Sequence, residues 1–203
     1  MIDQFAAFGT ATVHESFGRD GIVDLDLIQV VPGSRVAGPA RTVLCAQGDN
    51  TSIHAALAEV EPGEVLAVTM PEPEPYGAIG ELLALQAKAH GVAGILIDLA
   101  VRDREDLVGV GLPIWARWVR ARGTEKGRLG TIGGPITIGG RRIETGDLIV
   151  MDADGAVVVP RSRIDDVFEA ARAREAKEDA ERPRYAAGEL SWDLLGLREL
   201  AGG

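Results

Sequence analysis

The apolar positions of this chain fall into short runs separated by glycine, proline and acidic residues. Val65-Leu66-Ala67-Val68-Thr69-Met70 and Val92-Ala93-Gly94-Ile95-Leu96-Ile97 are continuous runs of strand length, the pattern of strands covered on both faces. Between them, Pro71-Glu72-Pro73-Glu74-Pro75-Tyr76-Gly77 cannot be helical, because three prolines fix the backbone and remove donors. Residues 78–90 are rich in helix formers and close at Gly91. Strand, loop, helix and strand from Val65 to Asp98 therefore predict a parallel βαβ crossover.

The flanking pattern is shorter in period. Thr12-Val13-His14-Glu15 fits a capping box and predicts a short helix through Phe17. Residues 24–31 begin with polar and apolar alternation, and residues 40–46 form another strand-like run. Asp49 or Asn50 can cap a helix over residues 52–60. Beyond the crossover, residues 113–116 predict a short strand, residues 133–140 with 141–143 a hairpin, and residues 147–151 a partner for 156–159 across Asp152-Ala153-Asp154-Gly155. A charged helix over residues 162–181 and a last short one over 194–200 complete the pattern. The expectation is one α/β domain spanning residues 1–203, with a core over about 10–160 and a helical extension over about 162–203.

Composition narrows the class. With 203 residues, 46% hydrophobic and 26% charged, the chain can bury one sizeable core. Twenty-one Lys and Arg against 31 Asp and Glu give a net charge of -10, which repels nucleic-acid backbones and anionic membranes. The densest basic stretch, residues 117–128, is interrupted by Trp118 and Glu125, so neither nucleic acid nor membrane is expected as a partner. Cys45 is the single cysteine, which excludes an intramolecular disulfide and a cysteine-rich metal site and leads to the expectation of a reduced, cytoplasmic setting. The segment Met1 to Phe5 carries no basic cluster followed by a long apolar run, so no leader is expected, and no apolar run approaches the roughly 20 residues that span a bilayer.

Candidate chemistry gathers after the second buried strand. Arg102 and Asp103 follow its carboxyl end, where a crossover leaves a crevice. The crossover helix should direct its free amides onto the same crevice and could hold a carboxylate there, with Glu81 in its first turn. An arginine beside two acids is equally the pattern of an ion-pair network capping a strand end. Glu105 and Asp106 are N-terminal charges of a following helix, and Asp106 is the better placed of the two. His14, His54 and His90 share no metal-binding spacing, and no glycine-rich nucleotide fingerprint exists. Lysine occurs only as Lys88, Lys126 and Lys177, so an imine mechanism would fall to Lys126.

Glu81, twenty intervening residues, Arg102-Asp103 and then Asp106 resemble the acidic-X20-Arg-Asp-X2-acidic signature of the RraA-like family. That family includes 4-hydroxy-4-methyl-2-oxoglutarate/4-carboxy-4-hydroxy-2-oxoadipate aldolases and the regulator of ribonuclease E activity. The similarity continues through Gly91-Val92-Ala93-Gly94, Gly111-Leu112-Pro113-Ile114, Gly146-Asp147-Leu148-Ile149-Val150 and the segment from Asp152 to Pro160. It covers roughly Thr10 to Leu197. The resemblance implies a swivelling β/β/α fold, a homotrimer or hexamer with sites between subunits, and Mg²⁺- or Mn²⁺-dependent cleavage of a 4-hydroxy-2-oxo dicarboxylic acid that releases pyruvate, with oxaloacetate decarboxylation as a side activity. By position it makes Asp103 the direct metal ligand, Glu81 the holder of a metal-bound water, and Glu178 the acidic residue reaching in from a neighbouring subunit. Arg102 would bind the keto oxygen and amides around Gly80, Leu82 and Leu83 the pyruvate carboxylate, while Thr124 and Lys126 match a downstream substrate-contacting loop.

The chain departs from the family pattern at Leu99, at residues 71–75 and at Trp118, and these positions are expected to surround and reshape the crevice. Two other readings stand beside the aldolase: a specialised enzyme acting on another 2-oxo acid through the same metal enolate site, and a non-catalytic protein that inhibits a ribonuclease.

Overall fold

The computed structural model describes residues 1–201. The chain runs through α1 (Ile2–Ser16), β1 (Ile28–Gln29), β2 (Val36–Leu44), α2 (Thr51–Leu57), β3 (Val65–Thr69), β4 (Gly77–Ile79), α3 (Glu81–Ala89), β5 (Gly94–Val101) and α4 (Arg104–Val110). It continues through β6 (Ile114–Val119), β7 (Thr131–Ile132), β8 (Ile136–Ile138), β9 (Arg141–Ile143), β10 (Leu148–Asp152), β11 (Gly155–Val159), α5 (Ile164–Ala186) and α6 (Ser191–Leu194), with 3₁₀ turns at Arg161–Arg163 and Leu197–Ala201.

Strands β3 and β5 are buried at every position, so their continuous apolar runs meet packing on both faces. They lie at the centre of a mixed sheet ordered β1-β6-β5-β3-β2-β10-β11, with β4 added beside β5 and β7 beside β2. β2, β3, β5 and β6 are parallel, whereas β10 joins β2, and β11 joins β10, in antiparallel fashion. On one face, Leu66, Val68, Ile95 and Ile97 pack against Ile53 and Leu57 of α2, Leu83 of α3 and Leu107 of α4. Alternate residues Ala67 and Leu96 point the other way, onto Ile136, Ile138 and Ile143 of the separate β8–β9 hairpin. Each such Leu or Ile contributes about 1.5–3 kcal/mol by leaving water. Hairpin, sheet and helices are thus the three layers of the expected β/β/α class, and the predicted crossover is present. A third cluster seats α1 and α5 on β10 and β11, with the Phe5 and Phe168 rings 5.5 Å apart.

Several boundaries moved for identifiable reasons. Helix α1 begins at Ile2, and Thr12 lies inside it rather than at its cap. The helix is broken at Gly9 (φ 80°, ψ 165°), and the second half is capped from a distance: Asp152 Oδ2 accepts the Thr10 amide at 2.9 Å and Oδ1 accepts its hydroxyl at 2.5 Å. Asp152 is buried and also accepts the Asp154 amide. Asp152→Ala is therefore expected to lower unfolding free energy by about 2–3 kcal/mol, because it strands buried donors; urea unfolding measures it. The expected strand over residues 24–31 shrinks to β1, while that over 40–46 extends back to Val36. The helix expected over 52–60 ends at Leu57, and the charged helix continues to Ala186. Among the described residues, no helix is long and apolar enough to cross a membrane.

Candidate active site

The site is built where two strand ends meet two helix starts. Ala78 is a good helix former, yet it and the β-branched Ile79 are both buried, and they enter the sheet beside β5, with the Arg102 amide donating to the Ile79 carbonyl at 2.9 Å. Helix α3 consequently begins at Glu81 rather than at Ala78. Its N-cap is Gly80, which has no side chain to satisfy the first amides. The Glu81 amide instead donates to Asp103 Oδ2 at 3.3 Å, and those of Leu82 and Leu83 meet no protein acceptor among the described residues.

Asp103 holds a left-handed backbone (φ 57°, ψ 45°), shared among the described non-glycine residues only with Arg19. Aspartate tolerates that conformation better than most residues. The consequence is chemical: Asp103 stands at the start of α4 but does not cap it, and its carboxylate turns towards α3 and Arg102. Arg102 Nε lies 3.5 Å from Asp103 Oδ2, with both side chains about half exposed. Space for the arginine comes from three glycines. A Cβ on Gly77, Gly80 or Gly123 would stand about 3.1–3.2 Å from Arg102 atoms.

These groups line one cleft of about 530 Å³, a volume suited to a small ligand. It brings together Glu81, Arg102 and Asp103, the amide-bearing turn of residues 80–83, and Thr124 and Lys126 from the opposite wall, with Asp106 also on its lining. A larger groove of about 780 Å³ lies elsewhere, past Arg141, Arg142 and Arg161, but its two acids are already engaged: Glu144 pairs with Arg142 at 2.9 Å, and Asp147 accepts the Glu144 and Arg161 amides at 2.9 and 3.0 Å. Glu178 is not in the cleft. It pairs with Arg174 at 2.9 Å and Arg182 at 3.9 Å on α5, so within one chain the proposed third metal ligand is not brought to the site.

Among the described residues, no three His, Cys, Asp or Glu side chains form a metal-binding group. The donor set still suits one kind of ion. Glu81 and Asp103 offer oxygen alone, and the Glu81 carboxylate makes no hydrogen bond or ion pair with the described residues. Mg²⁺ or Mn²⁺ retains several waters and is held by one or two carboxylates, which these two can supply.

Two polar side chains of the cleft, Asn50 and His54, were not marked as site residues by sequence. Asn50, expected only as a helix cap, is buried; its Nδ2 donates to the Ala78 carbonyl at 2.8 Å and its amide to the Glu125 carbonyl at 3.2 Å. It thereby ties the turn before Glu81 to the loop bearing Thr124 and Lys126. Its Oδ1 is buried without a partner, an exposed cost that ligand sites often retain. His54, expected as a helix-end residue, sits in the last turn of α2 and also lines the cleft. Burial, then the Lys126 charge, pushes its pKa below the usual value. The folded state therefore disfavours the imidazolium, so the stability tied to His54 is complete above the ordinary histidine pKa and is lost as pH falls through the lowered one. An NMR titration should place the His54 midpoint low, and Lys126→Ala should raise it only partly, because burial is the larger cause.

The family departures are absent from the lining of the cleft. Leu99 is fully buried in the helix-side core. Trp118 lies under the Arg117 guanidinium at 4.2 Å, and Arg117 bonds the buried Asp98, whose carboxyl burial pushes up and Arg117 pulls down. The proline loop is pinned by Gln47, which donates to the Glu72 carbonyl at 2.8 Å and to Glu74 at 3.0 Å. None of these residues lines the cleft.

Comparison with known proteins identifies the family of the chain. Residues 10–158 match the family model described as RraA-like, Aldolase/RraA. A protein of Halalkalibacterium halodurans that bears a provisional name as a 4-hydroxy-4-methyl-2-oxoglutarate aldolase is 33% identical over 182 residues, 89% of this chain and 86% of that protein. The structure of RraAS2 from Streptomyces coelicolor, described as an unusual member of the RNase ES inhibitor RraA protein family, superposes with a TM-score of 0.78 at 29% identity, covering 90% of this chain and 97% of that one. The RNA-processing inhibitor RraA from Thermus thermophilis gives 0.68 at 25% identity, covering 74% and 92%. With most of its length matched by that model and its fold shared with those structures, the chain belongs to the RraA-like family.

Proposed function

We propose that this protein is a divalent-metal-dependent lyase that cleaves a 4-hydroxy-2-oxo dicarboxylic acid by a retro-aldol reaction and releases pyruvate. One observation carries the reading: a guanidinium, two carboxylates and two free helix amides face the same cleft, the complement of a 2-oxo acid. The amides of Leu82 and Leu83 receive the carboxylate at the helix start. Arg102 donates to the 2-oxo oxygen. As the C3–C4 bond breaks, its electron pair moves onto that oxygen, so the guanidinium binds the transition state more strongly than the substrate. Glu81, through a water, takes the proton of the 4-hydroxyl as C4 becomes a carbonyl, and protonation at C3 then completes pyruvate. When bound by Asp103 and Glu81, Mg²⁺ or Mn²⁺ supplies Lewis-acid polarisation to the same oxygen. Thr124 and Lys126 contact the substrate from the facing loop, and no imine is required of Lys126. Glu178 of a second copy in a homotrimer or hexamer supplies a further acid.

The structural likeness to ribonuclease inhibitors favours a second reading, a binding protein that acts without the cleft. The third, an altered substrate, loses its motive because the family departures lie outside the cleft.

Purified protein incubated with Mg²⁺ and either 4-hydroxy-4-methyl-2-oxoglutarate or oxaloacetate should release pyruvate, and EDTA should stop it. No metal-dependent pyruvate from either compound, together with inhibition of a ribonuclease, would replace the lyase by the binding protein.

A further inference from the structure

Arg102 and Asp103 also border a second groove, of about 500 Å³, whose remaining charged residues are Arg104, Glu105 and Arg120. The groove and the catalytic cleft thus meet at the catalytic pair. Most arginines nearby are already engaged: Arg117 with Asp98 at 3.0 Å, Arg122 with Glu74 at 3.8 Å and Arg128 with Glu125 at 3.9 Å. Arg104 and Arg120 differ. Neither forms an ion pair among the described residues, and Arg120 directs one N–H to the adjacent Val119 carbonyl at 2.8 Å, which leaves most of its donors free. The Arg120 amide donates to the Val101 carbonyl at 2.9 Å, so the backbone carrying this cation is fixed beside the strand end that carries Arg102.

We infer that Arg104 and Arg120 form the receptor for the second carboxylate of a dicarboxylic substrate, the one on the fragment that leaves when the carbon–carbon bond breaks. The inference rests on the lyase reading, which sets the 2-oxo acid end against the amides of α3 and therefore sends the other end past Arg102. Three arginines against Asp103 and Glu105 leave this groove cationic on a chain of net charge -10, so a carboxylate entering it meets local attraction against a repulsive background. Arginine forks match a carboxylate with two parallel hydrogen bonds, which makes the pair a selector of chain length and charge as well as a binding group. Glu105 weakens the attraction without reversing its sign, because three guanidiniums face two carboxylates.

The test uses ligands that are not cleaved. Calorimetry with Mg²⁺ present compares 2-oxoglutarate, which has a second carboxylate, with 2-oxobutyrate, which has none. The native chain is expected to prefer 2-oxoglutarate, and in the Arg104→Gln/Arg120→Gln double variant that affinity ratio should fall about tenfold, the scale of one lost charge-assisted contact. Both side chains are exposed, so the variant is expected to fold. An unchanged ratio in the variant, or a native chain without preference, overturns the inference. Because binding is read without turnover, the two readings fail separately. A ratio that falls in a chain releasing no pyruvate keeps the receptor and removes the retro-aldol reaction; pyruvate release with an unchanged ratio does the reverse.

Discussion

Asp103→Asn is expected to lower kcat/KM for pyruvate release by about 10²–10³-fold while leaving the fold intact, the scale seen when one preorganised electrostatic group is removed. Asparagine accepts the left-handed backbone that Asp103 holds, and its side-chain oxygen can still receive the Glu81 amide. What it loses is the negative charge beside Arg102. The variant therefore separates the two explanations that the sequence left open. If Arg102 and Asp103 only cap a strand end, a half-exposed pair contributes at most about 1 kcal/mol, and neither activity nor stability should change much. A coupled assay for pyruvate, run beside urea unfolding, distinguishes a chemical loss from a structural one.

Gly80→Ala should inactivate the protein through one methyl group. Gly80 has extended torsions (φ −124°, ψ −172°) that any residue adopts, so no backbone strain is expected. The space is the constraint: the added Cβ would run into Asp103 Oδ2 and come within 3.1 Å of Arg102 Nε and 3.2 Å of its Cγ. Both side chains are half exposed and can move aside, which keeps the stability loss under about 1 kcal/mol. Moving them displaces the two groups that must meet the substrate. A displacement of that size costs on the order of 10²-fold in rate, read as a fall in kcat with stability preserved. Unaltered kinetics would show that Gly80 does not pack against working catalytic groups.

The central βαβ unit was legible because β3 and β5 are buried on both faces and so carry no polar alternation. Gly91 marked the end of α3 for a local reason, a left-handed residue (φ 81°) placed against Pro62. What failed to show in the sequence depends on distant partners. Helix propensity at Ala78 yields to burial beside β5, where Ile79 follows it into the sheet, and the helix start moves to Glu81. The cap of the second half of α1 is Asp152, 142 residues away, and no local pattern announces it. Asn50 is similar: its role lies in a bond to Ala78 across 28 residues. The spacing of Glu81, Arg102, Asp103 and Asp106 was informative because both crossover ends open on one cleft. Glu178 had no such support, since a solvent-facing helix with many glutamates offers no signal for choosing one.

Glu81 and Asp103 are proposed to hold a divalent cation beside Arg102. Titration with Mn²⁺, followed by the loss of the free-ion electron paramagnetic resonance signal, tests it without any assumption about substrate. The native chain should take up Mn²⁺ at one site per chain in competition with Mg²⁺, and Asp103→Asn should weaken uptake at least about tenfold. Equal uptake by the native chain and the variant would contradict the assignment and move the cation, if one is used, away from this cleft.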